Sequence, residues 1–456
     1  MMRDAWGALG GDAGTLDAVE VDHCDGVLPS PLAVGALACA TVAAALAAAA
    51  ELAQARGRPR PAVSLEAAHV AAAFVSERFC RVGGQPFAAG FHALSAFMPA
   101  ADGWVRLHGN YPHHRAALLT ALGVGDDDVR AAVAERGAIE VEEAVVAAGG
   151  CAAAVRDEAA WAAHPQGAAI AAAPLLDFSV GTGRGPALGP LLAEALPAAG
   201  VRVLDLTRVI AGPVGTRMLG ALGADVLRID PPWLPELEEQ AVEAGPGKRS
   251  AFLDLRRAEG RATFEGLLAD ADVLVHGYRP GALAAYGLDA QSLAERHPHL
   301  TVVTLSGWGA RGPWGGRRGF DSLVQAATGI ATACAEPDSA APGKLPAQAL
   351  DHGTGYLIAA AALRGLTHRA REGRAAHAEL ALARTAHWLL RQPRTADRPT
   401  TTEPDASSYL TSLPSPRGEI TLVAPPGSLD GRPLDWRSAP TVPGSDAPHW
   451  LPARPS

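Results

Sequence analysis

From residue 201 onward, short apolar runs alternate with helical patterns, and this alternation limits the possible folds more than any other feature of the chain. Strands that are apolar on both faces and joined by helices are typical of a parallel sheet buried between two helical layers. The sequence therefore predicts an α/β fold with a doubly wound parallel sheet. The predicted strands are 201–206, 225–229, 251–255, 273–276 and 301–305, with helices at 214–222, 258–268 and 290–296 and after residues 321 and 351.

A second feature is a unit that occurs twice. One copy begins at Leu28-Pro and the other at Leu345-Pro, and each continues as an Ala-rich helix, a turn of Gly and Arg and a short strand. The second copy has Asp351 at the position where the first has Val34. The pattern predicts two similar supersecondary units, although two Ala-rich helices could also align through composition alone.

Composition excludes several classes of partner. A net charge of −9 does not favour a nucleic acid or an anionic membrane as the main partner. The five cysteines are scattered without CxxC spacing, which indicates neither a disulfide framework nor a zinc site and favours a cytoplasmic protein. The run from Ala33 to Ala50 is mostly alanine without aromatic anchors, so it predicts a buried helix and no membrane association.

The patterns divide the chain into five segments. A large α/β domain is predicted to pack with a smaller α+β domain that contains a hairpin at 101–108. Beyond residue 390 the composition predicts a tail that is largely poorly ordered, with one strand pair near 418–423. The segments are 1–72 (a lead-in and the helix-strand copy with Val34), 73–177 (the smaller domain), 178–195 (a Gly/Pro-rich linker), 196–390 (the large domain) and 391–456 (the Pro-rich tail).

Two basic residues are candidates for binding an anion. Lys248 is one of only two lysines and stands next to Arg249, and an ammonium beside a guanidinium can hold a phosphate from two directions. A solvated turn is the alternative. Arg208 follows the first predicted strand, where doubly wound sheets bind ligands and where a helix amino terminus favours an anion. A surface arginine is the alternative there.

Asp351 is the candidate acidic residue. It is followed by Gly353-Thr-Gly355 at a predicted helix start, so it could also serve as a helix cap. The histidines show no repeated ligand spacing with carboxylates, and no metal site is predicted.

Several motifs, taken together and in order, resemble the family III CoA-transferases of the CaiB/BaiF type. The resemblance covers residues 196–385, and residues 28–176 resemble the family's later part, so that the chain looks like a rearranged or partly duplicated member. It implies a Rossmann-like large domain. The motifs are Val203-Leu-Asp-Leu-Thr-Arg208, Ala211-Gly-Pro213, Leu222-Gly-Ala-Asp-Val226, Gly247-Lys-Arg-Ser250, Leu253-Asp-Leu255, Tyr278-Arg-Pro-Gly281, Leu305-Ser-Gly-Trp-Gly309, Gly319-Phe-Asp321, Gln325-Ala326 and Asp351 with Thr354-Gly355.

The resemblance implies a reaction in which CoA moves from an acyl-CoA to a small carboxylic acid. Asp351 would form a mixed anhydride and then an aspartyl-CoA thioester. Because a carboxylate is ionised at neutral pH, no base is expected to be needed. Backbone donors for the oxyanions are expected from Gly353 and Gly355.

The resemblance also implies which residues bind CoA, which would be a substrate, so that no separate cofactor is expected. A homodimer is the expected assembly. The implied CoA-binding residues are Arg208, Val209, Ala211, Lys248, Arg249, Leu253, Arg256, Tyr278, Arg318, Phe320 and Asp321.

Two alternative functions remain open at this point. An α-methylacyl-CoA racemase would use a paired His and Asp as acid and base, and its histidine would fall at Phe320, which favours transfer over racemisation. A catalytically degenerate CoA-binding or scaffold subunit is the other alternative, and the presence of Asp351 argues against it.

Overall fold

The computed structural model describes residues 1–22, 24, 26–87, 90–394 and 403–452. Its largest sheet has seven strands, all parallel except for an antiparallel strand at one edge. The predicted α/β class with a doubly wound sheet is confirmed. In spatial order the strands are Lys248–Phe252, Asp225–Asp230, Arg202–Leu206, Val273–His276, Thr301–Ser306, Ala376–Ala381 and Asp177–Val180.

The chain builds this sheet outward from Arg202–Leu206. The next two strands in the chain, Asp225–Asp230 and Lys248–Phe252, lie on one side of this strand, and Val273–His276 lies on its other side. The strand order therefore reverses between Arg202–Leu206 and Val273–His276. In a doubly wound sheet the connections diverge at this point and leave a crevice beyond the carboxyl ends of the strands.

Helices cover both faces of the sheet. Side chains alternate along each strand, so that Val203 and Val275 join one apolar core whereas Leu204 and Leu274 join a second. The second core includes Phe264 of the helix Ala258–Asp270. The helices of residues 196–390 are Ala211–Ala221, Glu238–Glu243, Ala258–Asp270, Ala290–Arg296, Asp321–Thr328, Ile330–Ala333, Ala349–Glu372 and Leu382–Leu390, with short 3-10 turns such as Ala284–Tyr286.

One predicted strand is shifted. The strand expected at 251–255 is Lys248–Phe252, and Lys248 lies in register opposite Val226. Its ammonium is paired inside the protein, as described below, so hydrophobicity alone placed the start of this strand too late. Leu253 consequently follows the strand, and its N–H donates to the Asp230 carbonyl at 3.1 Å.

The two copies of the repeated unit both form the predicted helix and strand. We call Val34–Ala55 the alanine helix and Ala349–Glu372 the Asp351 helix, and the two pack against each other. A Cβ at Gly353 would lie 2.7 Å from Cδ2 of Leu37, so glycine permits this close approach. The alanine helix is long and apolar enough to cross a membrane, but 94% of its apolar window is buried inside the protein.

The smaller domain is α+β, as predicted. Its three-stranded antiparallel sheet contains the expected hairpin. The buried amide of Gln166 attaches it to the large domain by donating to the Trp308 carbonyl at 2.8 Å and accepting from the Trp314 N–H at 2.8 Å. The elements are strands Phe97–Ala100, Gly103–Leu107 and Ala152–Ala154 and helices Pro112–Leu122, Val129–Ala134, Ala138–Ala147, Glu158–Ala163 and Pro165–Ala171.

The end of the chain pairs with its beginning in two four-stranded sheets. The indole of Trp436 is buried and donates to the Val423 carbonyl at 2.8 Å. The prediction of a poorly ordered tail is therefore wrong for residues 403–452, because Gly418–Val423 pairs with Arg81–Val82 and Ser428–Leu429 pairs with Val63–Leu65, far away in sequence. Residues 395–402 and 453–456 lie outside the described residues. The first sheet contains Val19–Val21, Val63–Leu65, Ser428–Leu429 and Arg432–Pro433. The second sheet contains Leu410–Ser415, Gly418–Val423, Arg81–Val82 and Gln85–Pro86. The amino-terminal part of the chain also forms the helices Met2–Ala8 and Ala67–Ala73.

Two further features differ from expectation. The segment 178–195 begins inside the edge strand Asp177–Val180, and the Arg56 guanidinium donates to the Gly189 carbonyl at 2.9 Å. Cys24 and Cys39 form a disulfide, which the scattered cysteine spacing had not indicated.

Candidate active site

A cavity of about 350 Å³ lies at the carboxyl edge of the large sheet. Arg208 follows one central strand and Tyr278 follows its neighbour, so the cavity occupies the crevice where the strand order reverses. Asp351 also lines it. The predicted site residues that the structure brings together around this cavity are Arg208, Val209, Ala211, Tyr278, Arg318, Phe320 and Asp351.

The smaller domain supplies part of the same cavity. Tyr111, His113 and His114 line it from the start of Pro112–Leu122, which we call the His114 helix. Phe320 contacts this group, and its ring stacks on His108 at a centroid distance of 3.8 Å. The place of these residues at the cavity was not predicted from the sequence. The adjacent pair His113-His114 at a helix start was the only available signal, since contact across some two hundred residues of chain leaves no local pattern.

Asp351 lies in the first turn of its helix and is only 5% exposed. Burial raises the pKa of Asp351 well above the ordinary aspartate range, and the charges of Asp321 and Glu77 raise it further. The expected ionisation was based on the ordinary aspartate pKa, which this environment does not provide. The ionisation of Asp351 is a pH-dependent condition for nucleophilic attack.

Asp321 holds the beginning of the Asp351 helix. Its Oδ2 accepts the N–H groups of Leu350 at 2.9 Å and Asp351 at 3.1 Å, and the Gln325 amide donates to Oδ1. Burial raises the pKa of Asp321 to about 6. The implied CoA-binding role is therefore replaced by a positioning role, because the carboxylate is occupied by the helix that carries Asp351.

The two glycines after Asp351 do not form a turn. Both lie inside the Asp351 helix, where each N–H points to the carbonyl four residues earlier. A Cβ at Gly355 would lie 2.5 Å from the Ala211 carbonyl oxygen and 2.8 Å from Cβ of Val214. Gly353 and Gly355 therefore permit close helix packing, and their predicted role as oxyanion donors is wrong.

Arg208 is fixed by a polar network beside the cavity. Its guanidinium donates to the Pro235 carbonyl at 2.8 Å and pairs with Glu236 at 3.4 Å. Glu236 also accepts the hydroxyl of Tyr111 and, at 3.1 Å, the N–H of Val209. Val209 has a φ of 68°, which is unusual for a β-branched residue. The network thus holds a strained backbone at the cavity wall, as occurs at functional sites.

Lys248 is unavailable to a ligand. It is 3% exposed, and its ammonium donates to Asp205 Oδ2 at 3.0 Å, to the Pro213 carbonyl at 2.9 Å and to Thr216 Oγ1 at 2.7 Å. Burial lowers the pKa of Lys248 to about 8, against the opposing effect of Asp205. All three donor positions of the ammonium are used, so the predicted phosphate contact is wrong.

Three other implied binding residues lie away from the cavity. Arg249 pairs with Asp225 at 3.0 Å and donates to the His449 carbonyl at 2.7 Å, so it holds the C-terminal segment. Leu253 packs at the edge of the second core. Arg256 is paired with Asp254, and its guanidinium carbon lies 3.3 Å from the centroid of the Trp233 ring, which is 44% exposed. Their implied CoA contacts are not supported.

The cavity carries an excess of positive charge. Arg279 donates to the Gly316 carbonyl at 3.1 Å and Arg318 to the Gly149 carbonyl at 3.0 Å, and no carboxylate of the described residues pairs with either. Arg317, in contrast, pairs with Glu143 at 2.8 Å. Two guanidinium charges are thus left to attract an anionic ligand. Within the described part of the chain, no group of three His, Cys, Asp or Glu side chains is placed to hold a metal ion.

Part of this chain is similar in sequence to known CoA-transferases. Residues 198–414 match the family model described as CoA-transferase family III. A succinate–glutarate CoA-transferase of Agrobacterium fabrum is 34% identical over 204 residues, which cover 41% of this chain and 51% of that protein. A probable fatty acyl-CoA transferase of Mycobacterium tuberculosis is 32% identical over 197 residues, which cover 40% of this chain and 50% of that protein.

A solved structure is also similar. The crystal structure of a CaiB/BaiF family protein from Brucella suis has 29% sequence identity and a TM-score of 0.40, with 51% of this chain and 67% of that chain covered. The chain spans about half the length of the curated relatives it matches.

Proposed function

Since residues 198–414 match the model of CoA-transferase family III, we propose that this protein transfers CoA from an acyl-CoA thioester to a carboxylic acid. The observation that carries the proposal is the position of Asp351. It is a buried carboxyl group at the wall of a cavity that lies at the switch point of the sheet. A scaffold that only bound CoA would not need a carboxyl group there, because burying it is unfavourable.

The proposed chemistry uses Asp351 as a nucleophile. Its carboxylate attacks the thioester carbonyl, the C–S bond breaks, and CoA leaves as a thiolate while a mixed anhydride forms. The thiolate then attacks the Asp351 carbonyl, which releases the donor acid and leaves an aspartyl-CoA thioester. The acceptor carboxylate reverses these two steps. No net proton transfer occurs, so the ionised form of Asp351 begins and ends the cycle.

The cavity favours a short acyl group with a second negative charge. A volume of about 350 Å³ limits the length of the acyl chain. The guanidinium groups of Arg279 and Arg318 lack carboxylate partners among the described residues, and a second substrate carboxylate would pair with them. One relative acts on the dicarboxylates succinate and glutarate, whereas another is a probable fatty acyl-CoA transferase. We take dicarboxylic acids as the proposed substrate class.

The first test is direct. The protein is incubated with succinyl-CoA and a panel of mono- and dicarboxylic acids, and new acyl-CoA products are identified by liquid chromatography with mass spectrometry. Formation of dicarboxylyl-CoA products supports the proposal, and absence of any new acyl-CoA contradicts it.

Replacing Arg318 with methionine is expected to raise KM for dicarboxylic acceptors about tenfold to a hundredfold. The reason is the loss of one charge-assisted hydrogen bond to the second carboxylate, which contributes about 1.5 to 3 kcal/mol. KM for a monocarboxylic acceptor measured with the same donor should change little. An equal rise in the KM of every CoA ester would instead show that Arg318 contacts the CoA phosphates. R317M is the matched comparison, with a smaller expected effect because Glu143 already pairs with Arg317.

A second candidate function has one observation in its favour. Phe320 occupies the place of the racemase histidine, but His114 reaches the same cavity from the smaller domain. An imidazole and a carboxyl group together could exchange the α-proton of an acyl-CoA. Incorporation of deuterium from D₂O at the α-carbon, without movement of CoA between acids, would favour this alternative over transfer.

The proposed assembly and location remain predictions. Both halves of one chain line the cavity, so a second copy is not needed to supply Tyr111, His113 or His114. A homodimer and a cytoplasmic location are retained as proposals.

A further inference from the structure

The proposed reaction leaves one chemical requirement without a residue. When Asp351 attacks the thioester, the acyl carbonyl oxygen becomes an oxyanion, and such a charge needs hydrogen-bond donors in a site shielded from water. Gly353 and Gly355 do not meet this need, because both lie inside the Asp351 helix. The donor has to come from another wall of the cavity.

The imidazole of His114 lies at the cavity wall and makes no hydrogen bond within the described residues. The residue is 5% exposed and lines the cavity together with Asp351. Its Nδ1 is enclosed by protein and has no hydrogen-bond partner among the described residues, so Nε2 is the ring nitrogen that can face a ligand in the cavity. The ring is held by an edge contact with Tyr111 at a centroid distance of 5.6 Å and another with Phe320 at 5.7 Å. In the tautomer with its proton on Nε2, the ring can donate a hydrogen bond to a substrate oxygen in the cavity.

The backbone around His114 also favours negative charge in the cavity. The His114 helix runs for 11 residues, and no side chain caps its amino terminus. His113 and His114 lie in its first turn, where N–H groups have no carbonyl partner within the helix. The positive end of the helix dipole therefore meets the cavity wall and favours negative charge there.

We propose that His114 is a catalytic residue which donates a hydrogen bond to the acyl carbonyl oxygen during attack by Asp351. This inference rests on the proposed CoA transfer. As the Asp351–acyl bond forms, the carbonyl electron pair moves onto oxygen, where the His114 N–H stabilises it. When the C–S bond breaks, the pair returns to the carbonyl and CoA leaves as a thiolate. His114 keeps its proton throughout, so the step balances without another reactant.

The surroundings of His114 suit this role. Burial, together with the charges of His113, Arg318, His108 and Arg208, lowers the pKa of His114 to about 3. The imidazole is therefore neutral at physiological pH. A neutral donor stabilises the oxyanion without forming an ion pair with the Asp351 carboxylate, which must remain free to attack.

Two variants separate catalysis from packing. His114→Phe keeps an aromatic ring against Phe320 but removes both nitrogens, and His114→Gln restores one N–H donor. We expect H114F to lower kcat about a hundredfold to a thousandfold, the range for loss of an oxyanion donor, with little change in KM for the acyl-CoA. H114Q should recover part of this loss. H368Q, at the far end of the Asp351 helix where His368 makes a surface pair with Glu372, is the control and should match the wild type.

The outcomes distinguish this inference from the proposed function. If the wild-type protein transfers CoA and folded H114F has wild-type kcat, the role of His114 is refuted while the transferase proposal stands. A rise in KM alone, or equal losses in H114F and H114Q, would make His114 a packing or binding residue and also refute the inference. If the wild type transfers no CoA, the proposed function is refuted, and the inference about His114 that rests on it is refuted as well. Thermal unfolding of each variant shows whether the fold is retained.

Discussion

Replacing Asp351 with asparagine is expected to lower kcat for CoA transfer by about a thousandfold or more. Asparagine has nearly the same shape but cannot form the anhydride, so only binding and polarisation remain. The rate is measured with the donor and acceptor pair that the wild type uses best. Because burial raises the pKa of Asp351, the wild-type rate should also fall as the pH is lowered through this ionisation.

The stability of the asparagine variant serves as the control for folding. A neutral side chain avoids the unfavourable burial of charge beside Asp321 and Glu77, so D351N should be at least as stable as the wild type in urea. V34D, in the copy of the unit that lacks the aspartate, should restore no activity when combined with D351N. A D351N protein with full transferase activity would contradict the mechanism.

Replacing Lys248 with methionine is expected to reduce the free energy of unfolding by about 3 to 5 kcal/mol. The substitution leaves the Asp205 carboxylate buried without its countercharge, and breaking one side of a buried pair has an effect of this size. Asp205 keeps its bonds to Thr207 and Thr216, which limits the loss. Urea denaturation measures the change.

K344M is the matched control, since Lys344 lies in a Pro/Gly loop and surface substitutions usually change stability by less than about 0.5 kcal/mol. A K248M protein of normal stability with a raised KM for CoA would show that Lys248 faces the ligand, contrary to the structure.

The sequence predicted five strands and several helices of the large domain because each of these has a local signature, whereas short helices such as Glu238–Glu243 were not predicted. The apolar strand at 201–206 and the Asp351 helix differ from expectation by no more than two residues at their beginnings, and Arg208 and Asp351 do line one cavity. Local hydrophobic periodicity and the switch-point rule are sufficient for these inferences.

Other assignments failed where a long-range contact decides the role. Lys248 resembles a surface anion ligand in sequence, but Asp205, Thr216 and the Pro213 carbonyl enclose its ammonium. Gly355 resembles a turn residue, whereas its true neighbour is the Ala211 carbonyl of another helix. His114 had no assigned role, because only the packing of the two domains places it at the cavity.

The nucleophilic role of Asp351 is tested most directly by the mass of the protein after incubation with succinyl-CoA in the absence of an acceptor acid. We expect a covalent CoA adduct, located by peptide mapping on Asp351 and absent from D351N. Turnover without any adduct, or an adduct on a different residue, would contradict the assignment of Asp351 as the nucleophile.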